Sequence, residues 1–205
     1  MIRQRHYTPA FYPATTFTFM LWLLILELFF KKAKNRQEFI STKEPVMSNL
    51  DTPILLEYLA DKDPSIWHQV AWNWNWDGGV EVLKWIISQP QCHKGTALLV
   101  YWYGGPRYDS QFASAEEVPT FIRETYDLVR EIEEKYLAGF YTSDGIKFDP
   151  HADEGIDWTA EYADIEPKVA IPEIMYEPSG GETVKRESYI EGYPPEVWDR
   201  LNSGS

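Results

Sequence analysis

Apolar residues recur at helical spacing between Asp51 and Gly139, and this pattern predicts a mainly α fold. Asp51 with Pro53, and Asp63 with Pro64, are typical of helix N-termini, because the carboxylate accepts unpaired N–H groups and proline suits the first turn. The two helices that begin there would bury Ile54, Leu55, Tyr58, Leu59, Trp67, Val70, Ala71 and Trp74.

Turn-forming residues interrupt the next part of the chain. The run NWNWDGG at residues 73–79 ends the second helix, and Asp77 is placed to cap a third helix that ends before Pro90. The buried face of the third helix would contain Val80, Leu83, Ile86 and Ile87. The apolar run from Lys94 to Tyr103 fits a strand or a buried helix, and its helical neighbours favour the helix.

The longest predicted helix follows the break at Gly104, Gly105 and Pro106. Ser114 and Glu117 have the spacing of a capping box, which would open a helix that runs to about Leu137. Gly139 is a suitable C-terminal stop. One apolar face of this helix would comprise Val118, Phe121, Ile122, Thr125, Leu128, Val129, Ile132 and Tyr136.

The chain after residue 139 has a different composition. Residues 140–205 contain fifteen acidic and five basic side chains and six of the fourteen prolines, with short apolar patches such as PEVW at residues 195–198. The patches would form short strands or anchors that lie on the helices. We therefore predict three parts: a basic and apolar segment (1–46), a core of about five helices in hairpins (47–139), and an irregular acidic extension (140–205) packed on or tethered to it.

Residues 17–30 are the most hydrophobic stretch, and three interpretations fit them. Spanning a bilayer takes about 20 residues, whereas this run is shorter and contains Glu27. It is a short membrane anchor for an acidic cytoplasmic domain, a buried helix, or upstream sequence translated from the wrong start codon. We favour the third, because Met47 opens directly into a helix signal and Lys43-Glu44 can be encoded by a ribosome-binding sequence.

Charge and cysteine content limit the classes of function. The net charge of −13 combines +4 over residues 1–47 with −17 over the remaining residues. An acidic body repels phosphate backbones, so nucleic acid is excluded as a predicted partner, and a basic protein or plain solubility explains the charge. With Cys92 as the single cysteine, an intramolecular disulfide is impossible and a Cys-based zinc site is disfavoured. This composition favours the cytoplasm.

Three polar residues are candidates for catalysis. His68 would act as a general base with Asp77 as its orienting carboxylate in a hydrolase-like enzyme, and His93 could join them. Each also has a simpler structural role: a hydrogen-bonded histidine, a helix cap, and a turn residue. No spacing of histidines or acids fixes a metal site, and no cofactor motif is present. We predict neither metal nor cofactor.

Tryptophans concentrate around the second helix. Trp72 and Trp74 lie two residues apart, about 200° around a helix, so both cannot face the same side. One of them would reach the surface or pack under the C-terminal extension. We therefore predict Trp72, Trp74 and Trp76 as binding candidates, because exposed tryptophan beside acidic groups suits a contact with a partner protein.

The two turn regions together resemble a bacterial family known as domain of unknown function 4274, over about residues 52–106. The matching positions are Asn75, Trp76, Asp77, Gly78, Gly79, Pro90, Cys92, Gly95, Thr96, Ala97 and Leu98. His93 stands where the family usually has Asp. The resemblance implies that the polar and glycine residues among these positions form turns and caps, and it implies no activity.

These observations favour a non-catalytic interaction module over an enzyme. An acidic surface with aromatic side chains would neutralise a basic partner, in the manner of an immunity protein that binds a toxin. A hydrolase that uses His68 and Asp77, and a membrane-anchored acidic domain, are the alternatives.

Overall fold

The structure, a computed structural model, describes residues 51–203, which fold into seven α-helices without a β-strand. The prediction of a mainly α fold is confirmed. The helices are α1 (Asp51–Ala60), α2 (Pro64–Trp72), α3 (Glu81–Ser88), α4 (Lys94–Tyr103), α5 (Pro106–Asp109), α6 (Arg123–Leu137) and α7 (Pro195–Asn202). The predictions for residues 17–30 and for a start at Met47 lie outside the described residues.

Helix α4 occupies the centre of the core. Every residue from Gly95 to Trp102 is buried, which explains why its sequence is apolar without a polar face. Helices α2 and α6 pack on α4, and α1 packs on α3 and on α7. A helix that is apolar all round must be covered on every side, so the strand alternative for this run is wrong.

Local sequence signals explain several helix ends. The Asp63 carboxylate accepts a hydrogen bond from Ser65 N–H at 2.9 Å, with Pro64 as the first helical residue of α2. Helix α6 ends at Leu137, and Gly139 adopts a φ of 68° just beyond it. The Phe140 N–H reaches Lys135 O and the Gly139 N–H reaches Tyr136 O, which is the pattern of a glycine-terminated helix.

The predicted role of Asp77 as the cap of the third helix is wrong. Asp77 lies inside a single 3₁₀ turn, Trp76–Gly78, and Asn75 caps that turn by accepting the Asp77 N–H at 3.1 Å. The third helix, α3, begins later, at Glu81, and the residue before it, Val80, has no side chain that can cap. Gly78 and Gly79 add two residues of turn, so Asp77 lies too far ahead of α3 to reach its first N–H groups.

The predicted capping box at Ser114 and Glu117 does not open the longest helix. Proline restricts the residue before it to extended conformations, and Val118, before Pro119, has φ −75° and ψ 126°. The helix is therefore broken into two 3₁₀ turns, Ala115–Glu117 and Thr120–Ile122, and α6 starts only at Arg123. The assignment of Phe121 to the buried face is also wrong, because its side chain is 84% exposed.

Residues 140–203 complete the core, although they contain little regular structure apart from α7. Their backbone forms turns, 3₁₀ turns and isolated bridges. The side chains of Phe148, Met175, Tyr193 and Val197 are buried in the same cluster as the helices. The patch at residues 195–198, expected as a strand or an anchor, lies in α7. Within residues 51–203, no helix combines the length and apolarity needed to cross a bilayer.

Candidate functional site

A cleft of about 520 Å³ lies between α2 and three short stretches of the C-terminal region. Helix α2 contributes His68 and Trp72, which lie four residues apart and therefore share one face of the helix. The opposite walls are residues 147–149, 152–154 and 183–186. The cleft thus combines a buried helix face with charged side chains of the extension.

His68 forms the buried floor of this cleft. Its side chain is 1% exposed, and its Nδ1 lies 2.9 Å from the hydroxyl of Thr96 on α4. Burial lowers the pKa of His68 to about 3, and the nearby imidazole of His93 lowers it further. The imidazole is therefore neutral at physiological pH, with one ring nitrogen occupied by Thr96.

The acidic residues of the cleft are satisfied by their own neighbours. The buried Asp153 carboxylate accepts hydrogen bonds from the Tyr103 hydroxyl at 2.7 Å and from the Trp158 indole at 2.9 Å, both at Oδ2. Burial, followed by the hydrogen bond to Asp153, raises the pKa of Tyr103, so this phenol stays a donor. Asp149 accepts the backbone N–H of His151 at 3.1 Å.

Arg186 connects the C-terminal extension to the C-terminal end of α2 through hydrogen bonds. Its Nε donates to Asn73 Oδ1 at 3.0 Å, and one terminal nitrogen donates to the Trp72 carbonyl at 2.7 Å. The other terminal nitrogen pairs with Glu154 at 3.1 Å, and the guanidinium lies 5.7 Å from the Trp72 ring centroid. A cation at the last carbonyls of a helix is favourable. This contact fixes the rim of the cleft.

Within residues 51–203, no hydrogen bond joins the three predicted catalytic residues to one another. Asp77 is exposed in its 3₁₀ turn, and no hydrogen bond links it to His68 anywhere in residues 51–203. His93 lies near enough to His68 to lower its pKa, but its ring packs against Gly145, where an added Cβ would come within 2.5 Å. No group of three or more His, Cys, Asp or Glu in this part of the chain could hold a metal ion.

Three of the remaining turn and cap candidates, Cys92, Gly95 and Thr96, are buried, whereas Pro90 is exposed. Gly95 lies against residue 146, and a Cβ there would stand 2.2 Å from the Ile146 carbonyl oxygen. Cys92 is fully buried, and burial raises the pKa of its thiol to about 12, so it is a packing residue rather than a nucleophile. Pro90 lies in the turn after α3, and Thr96 is the partner of His68.

The tryptophans predicted to bind a partner lie mostly inside the fold. Trp72 packs under Arg186, and Trp74 packs on Tyr193 with ring centroids 6.2 Å apart, so both lie under the C-terminal segment. The Trp74 indole donates to Gly79 O at 2.9 Å. Trp76 is half-buried, and its indole nitrogen is buried. In residues 51–203, these rings serve first as packing surface.

The charged walls of the cleft were not among the predicted site residues. These walls belong to a region with neither helical nor strand periodicity, so no sequence pattern predicted their contact with α2. The charged residues concerned are Lys147, Asp153, Lys185 and Arg186. The one available signal was the pair of isolated basic residues Lys185-Arg186 in a strongly acidic segment.

Comparison with known proteins confirms the resemblance, although the matched range differs from the predicted range of about 52–106. Residues 62–137 match the family described as Domain of unknown function (DUF4274). No curated protein and no solved structure matches the chain. The matched range contains α2 to α6 with the two turn regions and the central helix α4. Residues 62–137 of this chain are therefore similar to the DUF4274 family.

Proposed function

We propose that this chain is a non-catalytic interaction module that binds a basic partner protein in the cytoplasm, in the manner of an immunity protein that binds a toxin. The observation that carries the proposal is an acidic strip, which we define as the exposed side chains of Glu161, Asp164, Glu166, Glu173 and Glu177. None of these five carboxylates forms an ion pair with another residue in the described range.

The strip has no basic side chain of its own to neutralise it. Lys168 is the only Lys or Arg between residues 161 and 177, and its ammonium is bound to Glu117 at 2.7 Å. Tyr162 and Ile174, which are 47% and 43% exposed, belong to the same stretch of sequence and offer apolar contact area. A partner with basic and apolar side chains would complement both.

The backbone of the strip is held in place before any partner arrives. The N–H groups of Lys168 and Val169 both donate to the Ser110 carbonyl oxygen, at 2.8 and 3.0 Å. The Trp102 indole donates to the Met175 carbonyl at 2.8 Å, and the Met175 side chain is fully buried. A rigid acidic surface loses little conformational entropy on binding, which favours recognition over plain solubility.

The positions of the three candidate catalytic residues support the non-catalytic part of the proposal. His68 is neutral and bound to Thr96, Asp77 lies in a separate exposed turn, and His93 is packed on Gly145. General base catalysis needs a base within hydrogen-bond reach of an orienting group and of the substrate proton. His68 and Asp77 offer no such arrangement.

The test compares two variants with the same change in net charge. The first variant carries Glu161→Gln, Asp164→Asn and Glu166→Gln in the strip, and the second carries Glu124→Gln, Asp127→Asn and Glu134→Gln on the exposed face of α6. The tagged full-length chain and both variants are incubated with extract of the source cells at about 0.15 M salt. Retained proteins are identified and their dissociation constants are then measured with purified partner.

We expect wild type and the α6 variant to retain the same basic protein. The strip variant should bind it about tenfold more weakly, because three exposed charge pairs contribute roughly 0.2–1 kcal/mol each. Equal affinity of all three proteins, or the absence of any basic protein retained by wild type, would refute the proposal.

A further inference from the structure

The cleft beside α2 has the size and the lining of a small-molecule site. Its volume of about 520 Å³ falls in the range of roughly 300–1,000 Å³ that is usual for ligand pockets. Trp72, Phe148 and Val184 provide apolar wall, and the charged groups stand at its edge. The acidic strip, at residues 161–177, contributes none of the lining.

Two lysines of the cleft have no anionic partner within the part of the chain that the structure describes. The ammonium groups of Lys147 and Lys185 form no ion pair with any residue between 51 and 203. Three acids also line the cleft. Asp153 accepts hydrogen bonds from Tyr103 and Trp158, and Glu154 pairs with Arg186. Asp149 accepts the backbone N–H of His151. Both lysines line the same cleft, so their ammonium groups provide two positive charges that an anion bound there could pair with.

His68 supplies a hydrogen-bond donor at the floor of the cleft. In the described residues the Thr96 hydroxyl has no hydrogen-bond partner other than His68 Nδ1. If the hydroxyl donates to Nδ1, its hydrogen is satisfied; the reverse arrangement leaves that hydrogen buried without an acceptor, at a cost of about 1–3 kcal/mol. The neutral imidazole therefore carries its proton on Nε2, which has no protein partner in this range.

We propose that this cleft binds a small organic anion with an aromatic or otherwise apolar body. The oxyanion group lies between the ammonium groups of Lys147 and Lys185 and accepts a hydrogen bond from His68 Nε2–H. The body of the ligand packs on Trp72 and Phe148. Thr96 is a positioning residue, because its hydroxyl fixes the tautomer of His68 without touching the ligand.

The first experiment uses the fluorescent aromatic sulfonate 1-anilinonaphthalene-8-sulfonate with the full chain. We expect saturable binding of the probe, displaced by benzoate but not by benzyl alcohol, which lacks the charge. The variant Lys147→Gln/Lys185→Gln should bind the probe at least tenfold more weakly. The control Lys84→Gln/Arg200→Gln changes net charge equally outside the cleft and should bind like wild type.

Three outcomes would overturn the proposal. They are the absence of saturable binding in wild type, equal displacement by benzoate and benzyl alcohol, and equal loss of binding in the two double variants. Circular dichroism of each variant shows whether it retains the helical fold.

A second experiment addresses Thr96. Long-range ¹⁵N–¹H correlation spectra report which ring nitrogen of a histidine carries the proton, and we expect the Nε2–H form for His68 in wild type. Thr96→Val should give a mixture of tautomers and a several-fold lower affinity for the probe, whereas Thr96→Ser retains the hydroxyl and should restore both. An Nδ1–H tautomer in wild type would contradict the assigned role of His68.

Discussion

Replacement of Asp109 by Asn should increase the stability of the protein above neutral pH. Asp109 ends the short helix α5, its side chain is 4% exposed, and its Oδ2 is buried without a hydrogen-bond partner in residues 51–203. Burial raises the pKa of this carboxyl to about 7, although the Arg130 guanidinium partly opposes the increase. Ionisation of Asp109 is therefore unfavourable in the folded protein.

The sign of the pH dependence follows from proton binding. The unfolded chain releases the Asp109 proton near the ordinary aspartate pKa of 3.8, whereas the folded protein keeps it up to about pH 7. Between these values the folded state binds more protons, so rising pH destabilises it, and the full cost is present above pH 7. The difference of about three in pKa sets an upper limit of about 4 kcal/mol. We expect about 1–3 kcal/mol, since water entry reduces the cost of a buried charge.

The assay is urea unfolding followed by tryptophan fluorescence, for wild type, Asp109→Asn and the control Asp127→Asn, which changes an exposed carboxylate on α6. The Asn side chain adds a penalty of its own, but that penalty does not vary with pH. The free energy of unfolding of Asp109→Asn relative to wild type should therefore rise from about pH 4 to pH 8. If this difference is constant across that range, or resembles that of Asp127→Asn, the reasoning about Asp109 is wrong.

Two further predictions concern packing between the helices and the extension. Gly95→Ala should lower the free energy of unfolding by about 1–3 kcal/mol, because the new Cβ would overlap the Ile146 carbonyl, and this cost outweighs the higher helix propensity of alanine. The matched control is Gly180→Ala, whose Cβ meets nothing closer than 3.4 Å. Equal stabilities of the two variants would contradict the prediction. Cys92 should react with a thiol reagent at least about a hundredfold more slowly in the native protein than in denaturant, since its raised pKa and full burial suppress the thiolate. A fast native reaction would show that the site opens.

The helical core could be predicted from local signals because those signals act over a few residues. Asp63 with Pro64, the apolar run of α4 and the glycine after α6 each determine a helix end or a burial pattern by themselves. The failures at Asp77 and Ser114 arose where two local signals compete. At Ser114, a cap pattern was overridden by Pro119, and at Asp77 two glycines displaced the start of the next helix.

The cleft could not be predicted, because it depends on contacts between distant parts of the chain. Lys147, Lys185 and Arg186 face His68 only after the extension has folded back on α2, through contacts such as that of Arg186 with the Trp72 carbonyl, 114 residues apart. No periodicity in an irregular segment encodes such a contact. The division of the chain into parts ending at residues 46 and 139 also stays a prediction.

The bond from the Trp102 indole to the Met175 carbonyl has a consequence for how this protein is divided into fragments. Trp102 lies within the range that matches the DUF4274 family, whereas Met175 lies 38 residues beyond the last residue of that match. A fragment that ends at residue 137 would expose the Trp102 indole ring to water and would leave its N–H without the Met175 acceptor. We expect such a fragment to aggregate, so expression boundaries should follow the packing out to α7 rather than the limits of the family.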